Sequence, residues 1–88
     1  MIVEALDKEW NVNDCTYKQR RELHALNAKV WWNGKQDVSA YYELLDKVSE
    51  IAKLGEDDFK DMDMSDIDIV LQTIFIDYLG LSKKATGG

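Results

Sequence analysis

The sequence predicts a small, mainly α-helical domain of three or more helices, preceded by a segment that fits either a short β-hairpin or an irregular arm. Three observations carry this. Apolar residues recur with helical spacing in three separate segments, each segment opens on a capping residue and closes near a glycine, and the 88 residues contain no proline.

The first segment, Ile2-Val3-Glu4-Ala5-Leu6, alternates weakly, and Asp7-Lys8 supplies a turn pair before Glu9-Trp10-Asn11-Val12. From Thr16 the period becomes helical. Thr16-x-x-Gln19 has the form of a capping box, Leu23, Leu26 and Val30 follow on one stripe, and Asn33-Gly34 provides the stop, which sets a helix over 17 to 32. Asp37 caps a second helix whose Tyr41, Leu44, Leu45, Val48, Ile51 and Ala52 form one apolar face, ended by Gly55. Its other face carries Glu43, Asp46, Lys47 and Glu50.

Residues 55 to 64 form an acidic connector from which Phe59, Met62 and Met64 are expected to reach back to the core. Ser65-x-x-Asp68 resembles a second capping box, and a third helix is expected over 66 to 79, stopped by Gly80 with Leu81 making the accompanying apolar contact. The reading is one helical domain over 1 to 81 and a flexible tail over 82 to 88.

Seventeen acids against eleven bases leave a net charge of −6, which repels polyanions at long range and argues against nucleic acid as the partner. The charge is unevenly spread. Segment 17 to 36 holds five bases and one acid, whereas segment 37 to 77 holds twelve acids and three bases. A single cysteine, an N-terminal stretch without a basic leader pattern, and no apolar run near the roughly 18 residues of a membrane span lead to the expectation of a soluble cytoplasmic domain.

Two surfaces stand out. At 100° per residue from Leu23, Lys18, Arg21, Ala25, Lys29 and Trp32 fall away from the core stripe of the first helix, so a large indole sits among cations in a pattern suited to docking an acidic partner. The alternative places Trp32 under the following loop, with the bases only offsetting the acids elsewhere. Trp31, about 80° from the stripe, is expected in the core. On the third helix, Ile67, Val70, Leu71, Ile74, Phe75 and Tyr78 form one stripe, yet Ile69 and Ile76 lie on the opposite side. A helix apolar on both sides is either sandwiched in its own fold or offered to another chain, and three helices make a sandwich hard to build.

The search for chemistry returns no catalytic, cofactor or metal site. His24 is alone, so neither a Cys-His nor a Ser-His-Asp arrangement rises above chance, and Cys15 reads as a small packing residue. Asp61-x-Asp63-x-Ser65 has the start of a calcium loop, but its sixth position is Asp66 instead of glycine and its twelfth is Gln72 instead of glutamate. Gly87-Gly88 is similar to the end of ubiquitin-like carriers, whose β-grasp fold the three helical periods contradict.

Thr16-Tyr17-Lys18-Gln19-Arg20-Arg21-Glu22-Leu23-His24, the Tyr41-Tyr42-Glu43-Leu44-Leu45 helix, the aspartate-rich joint, and the run from Ile67 to Phe75 ending in Tyr78-Leu79-Gly80-Leu81-Ser82-Lys83-Lys84 together resemble the small acidic tail assembly chaperones of long-tailed bacteriophages. The resemblance covers most of the chain in order and size. It implies a helical protein of the host cytoplasm that holds the tape measure protein, recruits tail tube subunits and is absent from the finished virion. It also implies a ribosomal frameshift near the end of a shorter form, with an A-rich slippery run encoding Ser82-Lys83-Lys84 as the expected place for it. It carries no position-specific binding residue. The residues themselves nominate Lys18, Arg21, Lys29, Trp32, Ile69 and Ile76 as partner-binding, with a protein client or a further copy of the chain as partner. The competing class is an acidic decoy whose 37 to 77 segment imitates nucleic acid and occupies a basic protein; a third, a DNA binder using the first helix, runs against the overall charge.

Overall fold

The computed structural model describes residues 1 to 31 and 35 to 80. It is mainly helical with a two-stranded N-terminal hairpin, in the order β1 (Ile2–Ala5), β2 (Lys8–Asn11), α1 (Tyr17–Val30), α2 (Val38–Ala52), a 3-10 turn (Glu56–Phe59) and α3 (Met64–Leu79).

The hairpin forms, but one residue earlier than the turn chemistry suggested. β1 and β2 pair antiparallel with Val3 opposite Trp10 and Ala5 opposite Lys8, so the turn residues are Leu6 and Asp7, at φ 56° and 59°. Shifting the turn by one residue shifts the register by two and keeps Val3, Ala5, Trp10 and Val12 on the same face, so alternation cannot choose between the two. Long-range bonds choose. The Trp10 indole Nε1 donates to the Ala5 carbonyl at 3.2 Å, and Met1 and Val12 exchange backbone bonds of 2.7 and 2.9 Å that extend the ladder.

α1 begins as expected, with the Thr16 hydroxyl accepting from the Gln19 amide at 3.1 Å and the Gln19 side chain accepting from the Thr16 amide at 2.8 Å. It ends at Val30, two residues short of the expected boundary, because the Val30 carbonyl accepts from the Asp37 amide at 2.8 Å and Trp31 leaves helical geometry. Asn33-Gly34, Trp32, Leu81 and the tail over 82 to 88 lie outside the described residues.

The Asp37 carboxylate caps α2 on Ala40, 3.0 Å. Its far end turns on Lys53 at φ 65°, not on Gly55; the Leu54 amide reaches back to the Ser49 carbonyl at 3.1 Å and Leu54 packs on the core, which is the bonding of a Schellman end without its glycine. α3 starts at Met64, with Asp63 at the cap position making no side-chain bond there. The expected Ser65–Asp68 box does not form, since Asp68 is engaged by Tyr42 from α2, and Met64 is 71% exposed while Phe59 and Met62 do reach the core. Gly80 closes α3 at φ 77°.

α2 lies against both other helices and β1 packs on α3. Val3, Trp10 and Val12 from the hairpin join Leu23 and Val30 of α1, the inner face of α2, and Val70, Leu71, Ile74 and Tyr78 of α3 in one core. Trp10 meets Phe59 at 6.0 Å between ring centroids. Tyr78 ties three parts together: its hydroxyl donates to the Asn13 carbonyl at 2.5 Å, and its own carbonyl accepts from Arg20 Nε at 3.2 Å. The extents are 35 × 35 × 21 Å, so the body is about two helix diameters thick. A helix in such a body has one face in the core and one in solvent.

Candidate functional site

α1 and α3 flank α2 and meet each other only marginally, which leaves a groove between them with α2 as its floor. Val30 and Trp31 stand on the α1 wall, Phe75 and Ile76 on the α3 wall, and Tyr41, Leu44 and Leu45 below; the cavity volume is about 190 Å³, the size of one large side chain. Asn27 and Gln72 add polar groups to a mostly apolar lining.

Local sequence explains each position. Tyr41 sits on the α3-facing edge of α2, where the Gln72 side-chain amide donates to its hydroxyl. Beside it, the Tyr42 hydroxyl donates to the Asp68 carboxylate at 3.0 Å, and the two tyrosine rings meet edge to face at 5.0 Å. The carboxylate beside it raises the Tyr42 hydroxyl above its ordinary value, since ionisation would lose that bond. These contacts brace α3 on α2 while leaving its outer face bare. Ile69 and Ile76, 44% and 40% exposed, lie two helical turns apart on that face, joined by Thr73, whose hydroxyl donates to the Ile69 carbonyl at 2.7 Å.

Trp31 corrects the expectation of a core position. It is 59% exposed at the groove lip, because α1 stops at Val30 and the indole no longer follows the helical stripe into the core. Trp32, the indole nominated from the sequence, lies outside the described residues. Lys18, Arg21 and Lys29 are exposed as expected, but the structure does not gather them with the isoleucines. Arg21 lies over the Tyr17 ring at 5.8 Å near the start of α1, while Lys29 faces a shallow depression with Asp37 and Glu43 at the other end. Sequence reasoning missed Tyr41 and Phe75 as groove residues. Both sit at the margin of an apolar stripe, where half-burial is the only signal, and a margin residue looks the same whether it closes a core or lines a groove.

The groups with chemical potential are dispersed. Cys15 is half-buried with Sγ 3.9 Å from the Tyr78 carbonyl, and burial, together with Asp14, pushes its thiol up, away from the reactive thiolate. His24 is exposed on α1. Among the described residues no three His, Cys, Asp or Glu side chains are placed to hold a metal ion, and no helix is long and apolar enough to cross a membrane. The acids are spread over the surface: Glu43, Asp46 and Glu50 along α2, then Glu56, Asp57 and Asp58 on the 3-10 turn, are all exposed. Lys47 draws Glu22 and Glu50 together at 3.8 and 3.5 Å, partly screened by solvent and worth little stability.

The site as a whole is a small, largely apolar groove on an acidic, helical body. Comparison with protein families, with curated proteins and with solved structures finds no match to this chain.

Proposed function

We propose that the protein is a non-enzymatic protein-binding module of the kind the tail assembly chaperones of long-tailed phages represent, holding a helical segment of the tape measure protein and helping to recruit tail tube subunits. One observation carries the binding part of this reading: the groove lined by Trp31, Tyr41, Phe75 and Ile76 is open to solvent, apolar, and framed by two helices, the form that accepts the anchor residue of an amphipathic helix. The chaperone part rests on the sequence resemblance. An acidic body suits such a role, because net charge keeps a carrier of exposed apolar surface soluble.

The test is co-expression with a tape measure protein of a long-tailed phage, followed by measurement of the soluble client fraction and of direct binding by calorimetry. The wild-type chain should keep the client soluble, and Trp31→Ala and Ile76→Asp should each weaken binding at least tenfold with the helical circular dichroism unchanged. Client binding indifferent to both substitutions sinks the groove as its site; no binding at all sinks the chaperone reading.

The second reading, an acidic decoy for a basic nucleic-acid-binding protein, draws on the exposed acids of α2 and the 3-10 turn. It expects affinity for the basic protein to fall steeply with salt and to survive Ile76→Asp.

A further inference from the structure

We infer that the cavity between α2, the 3-10 turn and α3 receives an arginine side chain presented by a basic protein partner. The site is separate from the groove between α1 and α3, and it does not depend on a client being held there. Its floor is apolar, made by the half-buried Phe59 of the turn with Ile67 and Leu71 of α3. Two exposed carboxylates, Asp46 on α2 and Glu56 on the turn, also line it, and no base stands among its described lining residues. The cavity volume is about 500 Å³, against about 190 Å³ for the groove, so it has room for a long side chain.

Local structure explains why these two carboxylates are free while their neighbours are engaged. The Ser49 hydroxyl donates to the Leu54 carbonyl at 2.8 Å, which ties the end of α2 to the chain entering the turn. The Asp58 carboxylate accepts from the Gly55 amide at 2.8 Å, and Lys47 holds Glu22 and Glu50. Asp46 and Glu56 have no hydrogen bond or ion pair among the described residues. Behind the floor, Trp10 packs on Phe59 with ring centroids 6.0 Å apart and fixes its place.

This chemistry selects the occupant. A purely apolar side chain would cover the floor but strip water from two unpaired carboxylates, and an acidic one is repelled. A long cation satisfies both parts, its aliphatic stem lying on the floor while its charged head stays at the wet carboxylates. Arginine suits the site better than lysine. Its planar guanidinium stacks on an aromatic ring such as Phe59 and offers donors to two carboxylates at once, whereas an ammonium is a compact, strongly hydrated point charge. The net charge of −6 draws a basic partner from a distance.

The experiment is an amide NMR titration of the full chain with the peptide Ac-Gly-Arg-Gly-NH2, at low and high salt, beside the same peptide carrying lysine. Saturable shifts should centre on Asp46, Gly55, Glu56, Phe59 and Leu71, with the lysine peptide binding more weakly and both weakening as salt rises. The double substitution Asp46→Asn with Glu56→Gln, at two exposed positions that leave the core intact, should weaken the arginine peptide about fivefold. Phe59→Leu keeps the floor apolar and should erase the preference for arginine over lysine. Shifts spread over the acidic surface without this centre, affinity unchanged by the double substitution, equal affinity for the lysine peptide, or a preference that survives Phe59→Leu each overturns the inference. Ile76→Asp should leave the titration unchanged, so failure here and failure of the client groove are told apart.

Discussion

On α3, Val70 and Ile74 are fully buried while Ile69 and Ile76, of the same chemical kind and on the same helix, stand 44% and 40% exposed. The inner pair belongs to the core that the hairpin and α2 share with α3; of the outer pair, Ile76 lines the groove. The two faces therefore do different work with the same residue type. Burial on the inner side drives folding, whereas each outer isoleucine leaves part of its apolar surface in water. α2 makes the contrast clearer. Its Ala40, Leu44, Leu45, Val48, Ile51 and Ala52 are buried, and Glu43, Asp46 and Glu50 stand exposed on its outer side.

The comparison can be broken most directly at Ile74. Replacing Ile74 by Ala is expected to cost about 3 kcal/mol by urea denaturation, from lost transfer energy and the cavity left behind, and a cost below about 1 kcal/mol would mean that the inner face is not the folding face. Tyr78→Phe probes the same face through a hydrogen bond. It removes the donor to the Asn13 carbonyl and is expected to cost about 1 to 1.5 kcal/mol at neutral pH. Burial, with Cys15 and Asp14 adding to it, raises the Tyr78 hydroxyl far above its ordinary value near 10. The folded state therefore favours the neutral phenol, its contribution is complete below pH about 10, and it is lost as pH climbs from there toward the raised value. Melts of wild type and Tyr78→Phe should converge on the alkaline side, and parallel curves would show that Tyr78 is not the group responsible.

At the helix ends the comparison sharpens. α3 turns on Gly80 at φ 77°, whereas α2 makes the same left-handed turn on Lys53 at φ 65°, where a side chain costs about 1 kcal/mol. Lys53→Gly should stabilise the protein by about 0.5 kcal/mol once the greater freedom of glycine in the unfolded chain is counted, a rise of a few degrees in Tm. The smallest expected effect is on the outer face. Ile76→Ser should change unfolding free energy by less than about 0.5 kcal/mol. A loss comparable to that at Ile74 would show that the outer isoleucines are part of the fold after all.

Much of the candidate site was legible as pattern and little of it as place. The two-sided character of α3 could be read from Ile69 and Ile76 because helical periodicity is local, and the exposure of Lys18, Arg21 and Lys29 follows from the same rule. The groove could not be read. It requires α1 and α3 to straddle α2, and nothing in the spacing of either helix encodes how far apart two helices stand. Trp31 departs from its expected core position for a related reason: a helix continuing to 32 would turn it toward the core, and the bond from the Asp37 amide to the Val30 carbonyl stops that helix first.

Local sequence by itself determined the three helices, the Thr16 and Asp37 caps, the Gly80 stop and the one-faced burial of α2, because each depends on residues within a turn or two of one another. Tertiary structure decided the hairpin register, in which the buried Trp10 indole donates to the Ala5 carbonyl, and drew Asp68 to Tyr42 instead of its own helix end. It also decided which isoleucines of α3 would fold the chain and which would face outward. The physical reason is thickness: a body of 21 Å buries one side of a helix, and which side is fixed only when the other elements arrive.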